Sequence, residues 1–345
     1  MFSPLSSIYA KISDIRNARF ESGRSPVHDL GARTISVGNI TTGGTGKTPL
    51  VIQIAEKLAS RGRRVGILTR GYGRSNPKKR VLVAAGKDIF VDARTGGDEP
   101  LEMACKLKGK AIIIADRDRV GAAAWAREKF GVNTFVLDDG FQHRAAKRDV
   151  DVVCIDATDP FGGKKVLPAG RLREPLANLA RATAIVITRA DLVNNIDEIK
   201  SEIAKYAPEC PIFTASSRMT EMTLLKKFLR AAVGGEDVPF DADVVRLANS
   251  TAFAFCGLGR PSAFFGQLKK DNFEIAETKA FADHHNYRSK DIRWLEKRAK
   301  AAGAGYLLTT AKDAVKLIGI EITMPCFVLE TKTVIDDQER FFAMI

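Results

Sequence analysis

The chain has 345 residues, 45% of them hydrophobic, so it is long enough to bury a large core, and its length favours two domains over one. Lys and Arg outnumber Asp and Glu by 54 to 41. The resulting charge of +13 predicts a surface that attracts nucleic acid, phosphorylated metabolites or acidic lipid headgroups, without choosing among them.

The five cysteines are scattered and form no CxxC pair, which argues against a disulfide framework and against a zinc knuckle. No run approaches the roughly 18 apolar residues of a transmembrane helix, and the first residues lack the pattern of a secretory signal. We therefore expect a protein of the reducing cytoplasm that neither spans nor crosses a membrane.

The first predicted element is an amphipathic helix within residues 1–22. Its apolar side chains recur at steps of three and four residues and form one stripe, made of Phe2, Leu5, Ile8, Tyr9, Ile12 and Ile15. Arg16 and Arg19 fall on the same side, which suits a helix in a lipid interface whose arginine stems reach the headgroups. A helix docked on the body of the protein has the same periodicity. Periodicity alone favours the docked helix, because most amphipathic helices are docked.

Short apolar runs then alternate with helical patterns and predict strands at 34–38, 64–69, 111–115, 134–138, 150–156, 184–188 and 211–215. Repeated strand and helix units predict an α/β fold with a parallel sheet flanked by helices in residues 23–215. The pattern weakens in residues 216–250, where we expect a hinge or linker. Residues 251–345 contain two further candidate strands, at 251–259 and 305–310, and predict a second, smaller α/β lobe.

A glycine-rich loop follows the first of these strands and opens a helix, as in P-loop NTPases. The candidate nucleotide-binding residues are Thr41, Thr42, Gly43, Gly44, Thr45, Gly46, Lys47 and Thr48. Glycine leaves backbone N–H groups free for phosphate oxygens, Lys47 would reach the β- and γ-phosphates of ATP, and Thr48 would bind Mg²⁺. The usual spacing has glycine where this chain has Thr41, so the loop must accept a Cβ there. Thr42 replaces a lysine that partitioning ATPases carry before their glycines, which disfavours that class.

Two pairs of acidic residues are candidates for the metal binding and proton transfer that phosphoryl transfer requires. Asp138 and Asp139 end a strongly apolar strand, where an acid of Walker-B type holds the metal, and for them we favour the functional interpretation. Asp98 and Glu99 lie in the glycine-flanked segment GGDEP. For this second pair a turn or helix cap and a role in chemistry are equally compatible with the sequence.

The segment FADHHNY places His284 and His285 side by side next to an aspartate. No further ligands stand at a zinc spacing, so a histidine hydrogen-bonded to a carboxylate is the better hypothesis. Two basic segments are further candidates. Arg70 follows a strand at the edge where α/β sheets bind ligands, and Arg173 lies in the rigid loop LPAGRLREP.

Nine separate motifs, in one order, resemble the tetraacyldisaccharide 4'-kinases, the lipid A 4'-kinases of Gram-negative bacteria. The motifs are PLSSIYAKI, SVGNITTGGTGKTP, LTRGYGR, GGDEP, LDDGFQH, LPAGRLREP, FCGLGRPSAFF, FADHHNY and TTAKDAVKL. The phosphate loop of that family likewise has Ser or Thr in place of the first glycine. TTAKDAVKL departs from the family pattern, because Ala311 stands where an acidic residue is common.

The resemblance implies transfer of the γ-phosphate of ATP to the 4'-hydroxyl of a membrane-embedded, tetraacylated glucosamine disaccharide 1-phosphate, giving lipid IVA in lipid A biosynthesis. Two lobes joined by a hinge would close over ATP and exclude water. Carried over by motif, the roles are Lys47 on the phosphates, Thr48, Glu99 and Asp138 on Mg²⁺, Asp98 as the base paired with His284, Asp139 in a supporting catalytic role, and Arg70, Gln142 and Arg173 on the substrate. The choice of His284 over His285 rests on motif position.

The resemblance also changes the interpretation of the first helix. A substrate whose acyl chains stay in the bilayer must be met at the interface, so the helix becomes a monotopic anchor on the cytoplasmic face of the bacterial inner membrane. We expect no nucleic-acid partner and no obligate protein partner. The alternatives are a regulatory P-loop ATPase at a membrane or on DNA, and a kinase for a soluble sugar or nucleoside, which would not need the apolar stripe.

Overall fold

The computed structural model describes residues 4–232 and 250–345. The strands in this part of the chain are β1 (Arg33–Asn39), β2 (Val65–Thr69), β3 (Val81–Ala85), β4 (Asp88–Ile89), β5 (Ala111–Ala115), β6 (Thr134–Asp138), β7 (Val150–Asp156), β8 (Ala184–Thr188), β9 (Ile212–Leu224), β10 (Ala252–Cys256), β11 (Ile275–Ala280), β12 (Tyr306–Thr310) and β13 (Cys326–Ile335). They form one continuous sheet in the order β11-β10-β12-β13-β9-β8-β7-β1-β6-β2-β5-β3-β4.

Helices flank this sheet. The α-helices of the described residues are α1 (Pro4–Glu21), α2 (Lys47–Ser60), α3 (Ala93–Gly96), α4 (Asp98–Leu107), α5 (Arg119–Phe130), α6 (Ile196–Ala204), α7 (Leu225–Ala232), α8 (Pro261–Lys270), α9 (Ser289–Ala301), α10 (Ala311–Ala314) and α11 (Gln338–Met344). Short 3-10 helices lie at Gly162–Lys164, Leu176–Arg181, Ala190–Leu192 and Val315–Leu317. The predicted α/β class is confirmed.

The first unit is built on the parallel strands β8, β7, β1, β6, β2 and β5, and each contains one of the strands predicted from the sequence. Their side chains are almost all buried, because helices cover both faces of a parallel sheet. Two strands of this unit were not predicted: β3 and β4 pair antiparallel at the outer edge. β4 has only two residues and lies directly after the turn at Gly86, so it carries too short a pattern to be recognised.

The second unit contains the parallel strands β11, β10, β12 and β13. Of these, β10 and β12 match the two predicted strands, whereas β11 and β13 were not predicted. In β11 every second residue is exposed and the sequence IAETKA is half polar, as befits the outermost strand of the sheet. Such a strand gives a weaker apolar signal than a buried one.

An antiparallel ribbon joins the two units, and it occupies much of the predicted linker. β9 pairs with β8 through residues 212–215 and with β13 through residues 215–224. Residues 216–232 of the predicted hinge or linker therefore form strand and helix. Many of the ribbon's side chains are exposed, so the chain there is polar without being irregular. The rest of the predicted linker, 233–249, lies outside the described residues.

The predicted boundary of the second lobe also needs a correction. Residues 251–345 were assigned to that lobe, but Ile335, Phe341 and Phe342 pack in the core of the first unit with strand β1 and helix α2. The Phe341 and Phe213 rings meet edge to face with centroids 5.3 Å apart. The final helix therefore returns to the first unit because its aromatic side chains complete that unit's core.

Helix α1 contacts the body through its polar side. The Ser6 hydroxyl accepts a hydrogen bond from the Ala169 N–H at 3.0 Å, and the guanidinium of Arg144 donates to the Asn17 carbonyl at 3.1 Å. The opposite side is apolar and more than half exposed at each of Leu5, Ile8, Ile12 and Ile15. Within the described ranges, 4–232 and 250–345, no helix is long and apolar enough to cross a membrane.

Candidate active site

The candidate site lies at the carboxyl ends of three neighbouring strands. β6 lies between β1 and β2 in the sheet, so the loop after β1, the carboxylate that ends β6 and Arg70 after β2 meet at one edge. A cavity of about 980 Å³ opens there, and both units contribute to its walls. All residues of the predicted nucleotide loop from Thr42 to Thr48 line it.

The phosphate loop accepts Thr41 because the chain is extended at that point. Thr41 is buried and forms an antiparallel bridge with Leu172, and the N–H of Thr42 donates to the Arg171 carbonyl at 2.8 Å. Positive φ angles begin only at Gly43, with a φ of 106°, and recur at Gly46, with a φ of 76°. An extended backbone carries a Cβ without strain, so glycine is required at Gly43 and Gly46 but not at the front of the loop.

Side chains beneath the loop fix its shape. The buried Thr45 hydroxyl accepts from the Asn39 amide at 2.9 Å, and its carbonyl accepts from the Thr188 hydroxyl at 2.9 Å. Arg189 donates to the Gly44 carbonyl at 2.9 Å. The loop residues and the start of α2 line the cavity, where their free N–H groups would suit an anion.

Lys47, Asp139 and Arg173 form one charged cluster beside the loop. Lys47 Nζ lies 3.3 Å from Asp139 Oδ1, and one nitrogen of Arg173 lies 2.8 and 2.7 Å from the two oxygens of the same carboxylate. Burial raises the pKa of Asp139, but the two cations outweigh burial and hold that pKa well below its usual range. Asp139 thus stays ionised and orients Lys47 at the phosphate loop.

Asp138 presents a free oxygen to the same space. Its Oδ2 accepts a hydrogen bond from the Thr69 hydroxyl at 2.8 Å, whereas its Oδ1 is buried and has no hydrogen-bond partner. Burial, together with the charges of Glu99 and Asp139, raises the pKa of Asp138 to about 7. A buried carboxylate with an unused oxygen fits a bound cation.

Asp98 and His284 form a close pair across the two units. His284 Nδ1 lies 2.9 and 2.8 Å from the two carboxylate oxygens of Asp98, the first residue of α4. Burial raises the pKa of Asp98. The hydrogen bond from His284 and the charge of Lys312 lower that pKa by more, so the net shift is downward. The same hydrogen bond raises the pKa of His284. The sequence left a helix cap and a chemical role equally open for Asp98. Its contact with an ionisable partner favours the chemical role.

His285 is held away from this pair. Its ring stacks on Phe281 at 4.5 Å, meets Tyr287 edge to face at 4.9 Å, and its Nε2 lies 3.3 Å from Asp291. These contacts fix the turn that carries His284, whose φ is 58°. Geometry therefore agrees with the choice of His284 made from the motif.

The three predicted substrate contacts line the same cavity, but they differ in how they are held. Arg70 is exposed at the end of β2. The side-chain amide of Gln142 donates to the Asn39 carbonyl at 2.8 Å and to Glu174 at 2.7 Å. The side-chain oxygen of Gln142 accepts from Arg173 at 3.3 Å. In this structure Gln142 and Arg173 are thus engaged with protein groups, while Arg70 is the more accessible of the three.

A segment of the second unit closes over the phosphate loop. Arg260 lies 2.8 Å from Asp156 and 2.7 Å from Asp159, both in the first unit. A Cβ at Gly259 would lie 2.8 Å from Asp283 Oδ2 and 3.4 Å from the Gly44 nitrogen. The motif FCGLGRPSAFF thus brings the second unit close to the loop.

Sequence reasoning missed several charged residues of the site. Lys312, in the motif TTAKDAVKL, lies 3.2 Å from Glu99 and 3.6 Å from Asp283. Arg119 is buried, lines the cavity and points a nitrogen at the Asp138 carbonyl from 3.5 Å. The signal available for Lys312 was the motif itself. The adjacent Ala311 is buried in an apolar cluster and carries no charge. Arg119 carried no local signal.

Comparison with known proteins places the chain among kinases. The whole chain, residues 1–345, matches the family described as Tetraacyldisaccharide-1-P 4'-kinase. It is 37% identical over 317 residues to the tetraacyldisaccharide 4'-kinase of Geobacter metallireducens, covering 92% of this chain and 88% of that protein. It is also 37% identical over 324 residues to the protein of the same name from Halothermothrix orenii, covering 92% and 82%.

A solved structure gives the same result. The fold resembles the crystal structure of the "apo" form of LpxK from Aquifex aeolicus in complex with ATP, with a TM-score of 0.75 and 30% identity. The similarity covers 99% of this chain and 96% of that one. The chain therefore belongs to the tetraacyldisaccharide-1-phosphate 4'-kinase family.

Proposed function

We propose that this kinase of lipid A biosynthesis transfers the γ-phosphate of ATP to the 4'-hydroxyl of a tetraacylated glucosamine disaccharide 1-phosphate, giving lipid IVA. The observation that carries the proposal is that His284, whose Nδ1 lies 2.8 Å from Asp98, lines the same cavity as the phosphate loop. A nucleotide site and a base are thus within one enclosure, as transfer to a hydroxyl requires.

The first unit would bind the nucleotide. The loop N–H groups from Gly43 to Thr48 contact the phosphates, and Lys47, oriented by Asp139 at 3.3 Å, neutralises charge that develops during transfer. The free oxygen of Asp138, the Thr48 hydroxyl and Glu99 would hold Mg²⁺. When bound, Mg²⁺ supplies charge neutralisation on the β- and γ-phosphates. Magnesium sites of nucleotide enzymes need only one or two carboxylates, which suits this set.

Asp98 would act as the general base. Its lowered pKa keeps it ionised at neutral pH, so it can accept the proton of the attacking 4'-hydroxyl. His284 donates through Nδ1 to Asp98 and orients the carboxylate. The charges of Lys312 and Lys316, from the second unit, also lower the pKa of Asp98.

The acceptor lipid would approach along α1. Tyr9, Ile12 and Arg16 of this helix line the cavity, and its exposed apolar face continues outside it. Insertion of that face into the cytoplasmic leaflet of the inner membrane would place the cavity mouth beside the headgroups. Arg70 is the exposed candidate for contact with the sugar or its 1-phosphate, and Gln142 and Arg173 lie deeper.

The regulatory ATPase is not favoured. Full-length similarity to sugar-lipid kinases and the base opposite the phosphate loop both speak for transfer to an acceptor. A kinase that acts on a soluble sugar would not need the exposed apolar face of α1.

The test is incubation of the purified protein with γ-labelled ATP, Mg²⁺ and detergent-dispersed disaccharide 1-phosphate, followed by thin-layer chromatography of the lipid. We expect label in a bis-phosphorylated lipid and its loss in Lys47→Ala. Release of label only as free phosphate, stimulated by DNA or by vesicles without disaccharide, would contradict the proposal and support the regulatory ATPase.

A further inference from the structure

Lys312 is a second lysine of the site, and the second unit provides it. It lies in the short helix α10, which begins after Thr310, whose hydroxyl accepts from the Asp313 N–H at 3.1 Å. Its side chain lines the same cavity as Lys47 and is 14% exposed. The two lysines therefore face one enclosure, from the first and from the second unit.

Three carboxylates surround the Lys312 ammonium. Nζ lies 3.2 Å from Glu99, 3.6 Å from Asp283 and 3.9 Å from Asp98. An ammonium group held among three carboxylates suits electrostatic stabilisation.

Its neighbour Lys316 serves as an internal comparison. Lys316 is 3% exposed, lies 2.8 Å from the fully buried Asp313 and 3.8 Å from Asp98. Asp313 also accepts from the Gly257 N–H at 3.0 Å and from the Tyr287 hydroxyl at 3.1 Å. Lys316 is therefore fixed in a buried network, whereas Lys312 has access to the cavity.

Lys312 lies close to two residues for which we have proposed roles, Glu99 and Asp98. Glu99 would help to hold Mg²⁺, which would neutralise charge on the nucleotide phosphates, and Asp98 would contact the acceptor hydroxyl. The phosphoryl group must pass between these two points, because the oxygen that attacks and the oxygen that leaves are in line. A cation within 3.9 Å of both carboxylates lies beside that path.

We propose that Lys312 is a catalytic residue that contacts the phosphoryl group during transfer and completes the charge stabilisation begun by Lys47. The inference rests on the proposed kinase function. In the step it assists, the 4'-oxygen forms a bond to the γ-phosphorus and the bond from that phosphorus to the β-bridging oxygen breaks. The electron pair stays on ADP and the hydroxyl proton passes to Asp98. The cation opposes the negative charge on the transferred group while these bonds change.

The test compares binding of ADP with Mg²⁺ alone and with added aluminium fluoride, which mimics the phosphoryl group, by calorimetry and without lipid. We expect Lys312→Met to bind ADP within about twofold of wild type and to lose at least about 30-fold in affinity for the fluoride complex, with turnover reduced about 10²-fold or more. Lys312→Arg should keep part of that affinity because it retains the cation.

The matched control is Lys106→Met. Lys106 lines the same cavity, is 15% exposed and lies 3.6 Å from Glu102. This variant should lose little affinity for either complex. Equal losses for ADP and for the fluoride complex in Lys312→Met, or equal losses in the control, would overturn the proposal. So would failure of Lys312→Met and Lys312→Gln to fold, since the lysine would then be structural.

Because no acceptor is present, this experiment separates the two proposals. If binding of the fluoride complex depends on Lys312 but no label reaches the disaccharide, the role of Lys312 is supported and the proposed acceptor is contradicted. If label reaches the disaccharide but binding does not depend on Lys312, the acceptor is supported and the role of Lys312 is contradicted.

Discussion

His284 Nδ1 lies within 2.9 Å of both carboxylate oxygens of Asp98, although 186 residues separate the two in the chain. Asp98 begins a helix of the first unit and His284 lies in a turn of the second. The proposed base is therefore complete only when both units are in contact, so we expect proton transfer to depend on that contact.

This coupling predicts non-additive kinetics. Asp98→Asn should lower kcat by about 10²-fold or more, because no carboxylate remains to accept the proton, and His284→Ala should also lower it. If the two act as one unit, the double variant should cost little more than the worse single one. Turnover of the three variants under saturating ATP checks this, and fully multiplicative losses would show that the residues work separately.

The same pair predicts a shift in pH dependence. The hydrogen bond from His284 lowers the pKa of Asp98 against the effect of burial, so its loss lets burial raise that pKa. In His284→Ala, the acid limb of the kcat/KM profile should therefore move to higher pH than in wild type. An acid limb that stays in place would argue that Asp98 is not the titrating base.

A third prediction concerns Lys47. Removal of its charge in Lys47→Ala should reduce turnover by at least about two orders of magnitude while the fold persists, because the charge acts on the transferred phosphates. Lys57→Ala is the control, since Lys57 lies on the same helix in its exposed last turn. Steady-state rates and melting temperatures of both variants decide the matter. Near-normal turnover in Lys47→Ala would remove it from the mechanism.

Asp138 predicts a pH-dependent stability. Its pKa is about 7 in the folded protein and about 4 in an unfolded chain, so the folded state binds more protons between these values. Its contribution to the free energy of unfolding therefore falls as pH rises from about 4 to about 7. Asp138→Asn keeps an acceptor for the Thr69 hydroxyl and removes this penalty.

Without metal, Asp138→Asn should therefore melt a few degrees above wild type at pH 8, with a smaller gain at pH 5. Adding Mg²⁺ and ATP should stabilise wild type more than the variant, because the variant lacks the anionic ligand. Thermal melts at both pH values test this. A gain that does not depend on pH would mean that Asp138 is not protonated in the folded protein.

The exposed face of α1 predicts membrane binding. Replacement of Leu5, Ile8, Ile12 and Ile15 by Ser should lower partitioning onto anionic vesicles on the order of 10²-fold, because each apolar side chain contributes when it enters the interface.

The control variant for that experiment replaces Val27, Phe90 and Ile318, which are also exposed apolar residues but lie elsewhere. It should partition as wild type does. Sedimentation with vesicles measures both variants, and unchanged binding of the α1 variant would place the anchor in another part of the chain.

Local sequence predicted the parts of the site that one strand and one loop carry. The phosphate loop and Asp138 could be found because each directly follows an apolar strand. The pairing of Asp98 with His284 came from the family resemblance, since nothing local links residues 186 positions apart. Lys312 and Glu99, separated by 213 positions, remained unconnected for the same reason.

The errors of fold also have a physical cause. The ribbon of β9 and β13 is polar and partly exposed, so its composition resembles that of a linker. Residues 335–345 lie after the second unit in the chain, and only the core contacts of Phe341 and Phe342 reveal that they belong to the first. Order along a chain does not determine which core a helix completes.

That return of the chain makes the second unit an insertion within the first, with consequences for biosynthesis. A ribosome must produce the ribbon and the whole insertion before it supplies Phe341, whose ring packs on Phe213. Until then the nascent first unit exposes the apolar surface that α11 later covers, a surface that chaperones recognise. Expression of the first unit without residues 335–345 should therefore give an unstable product.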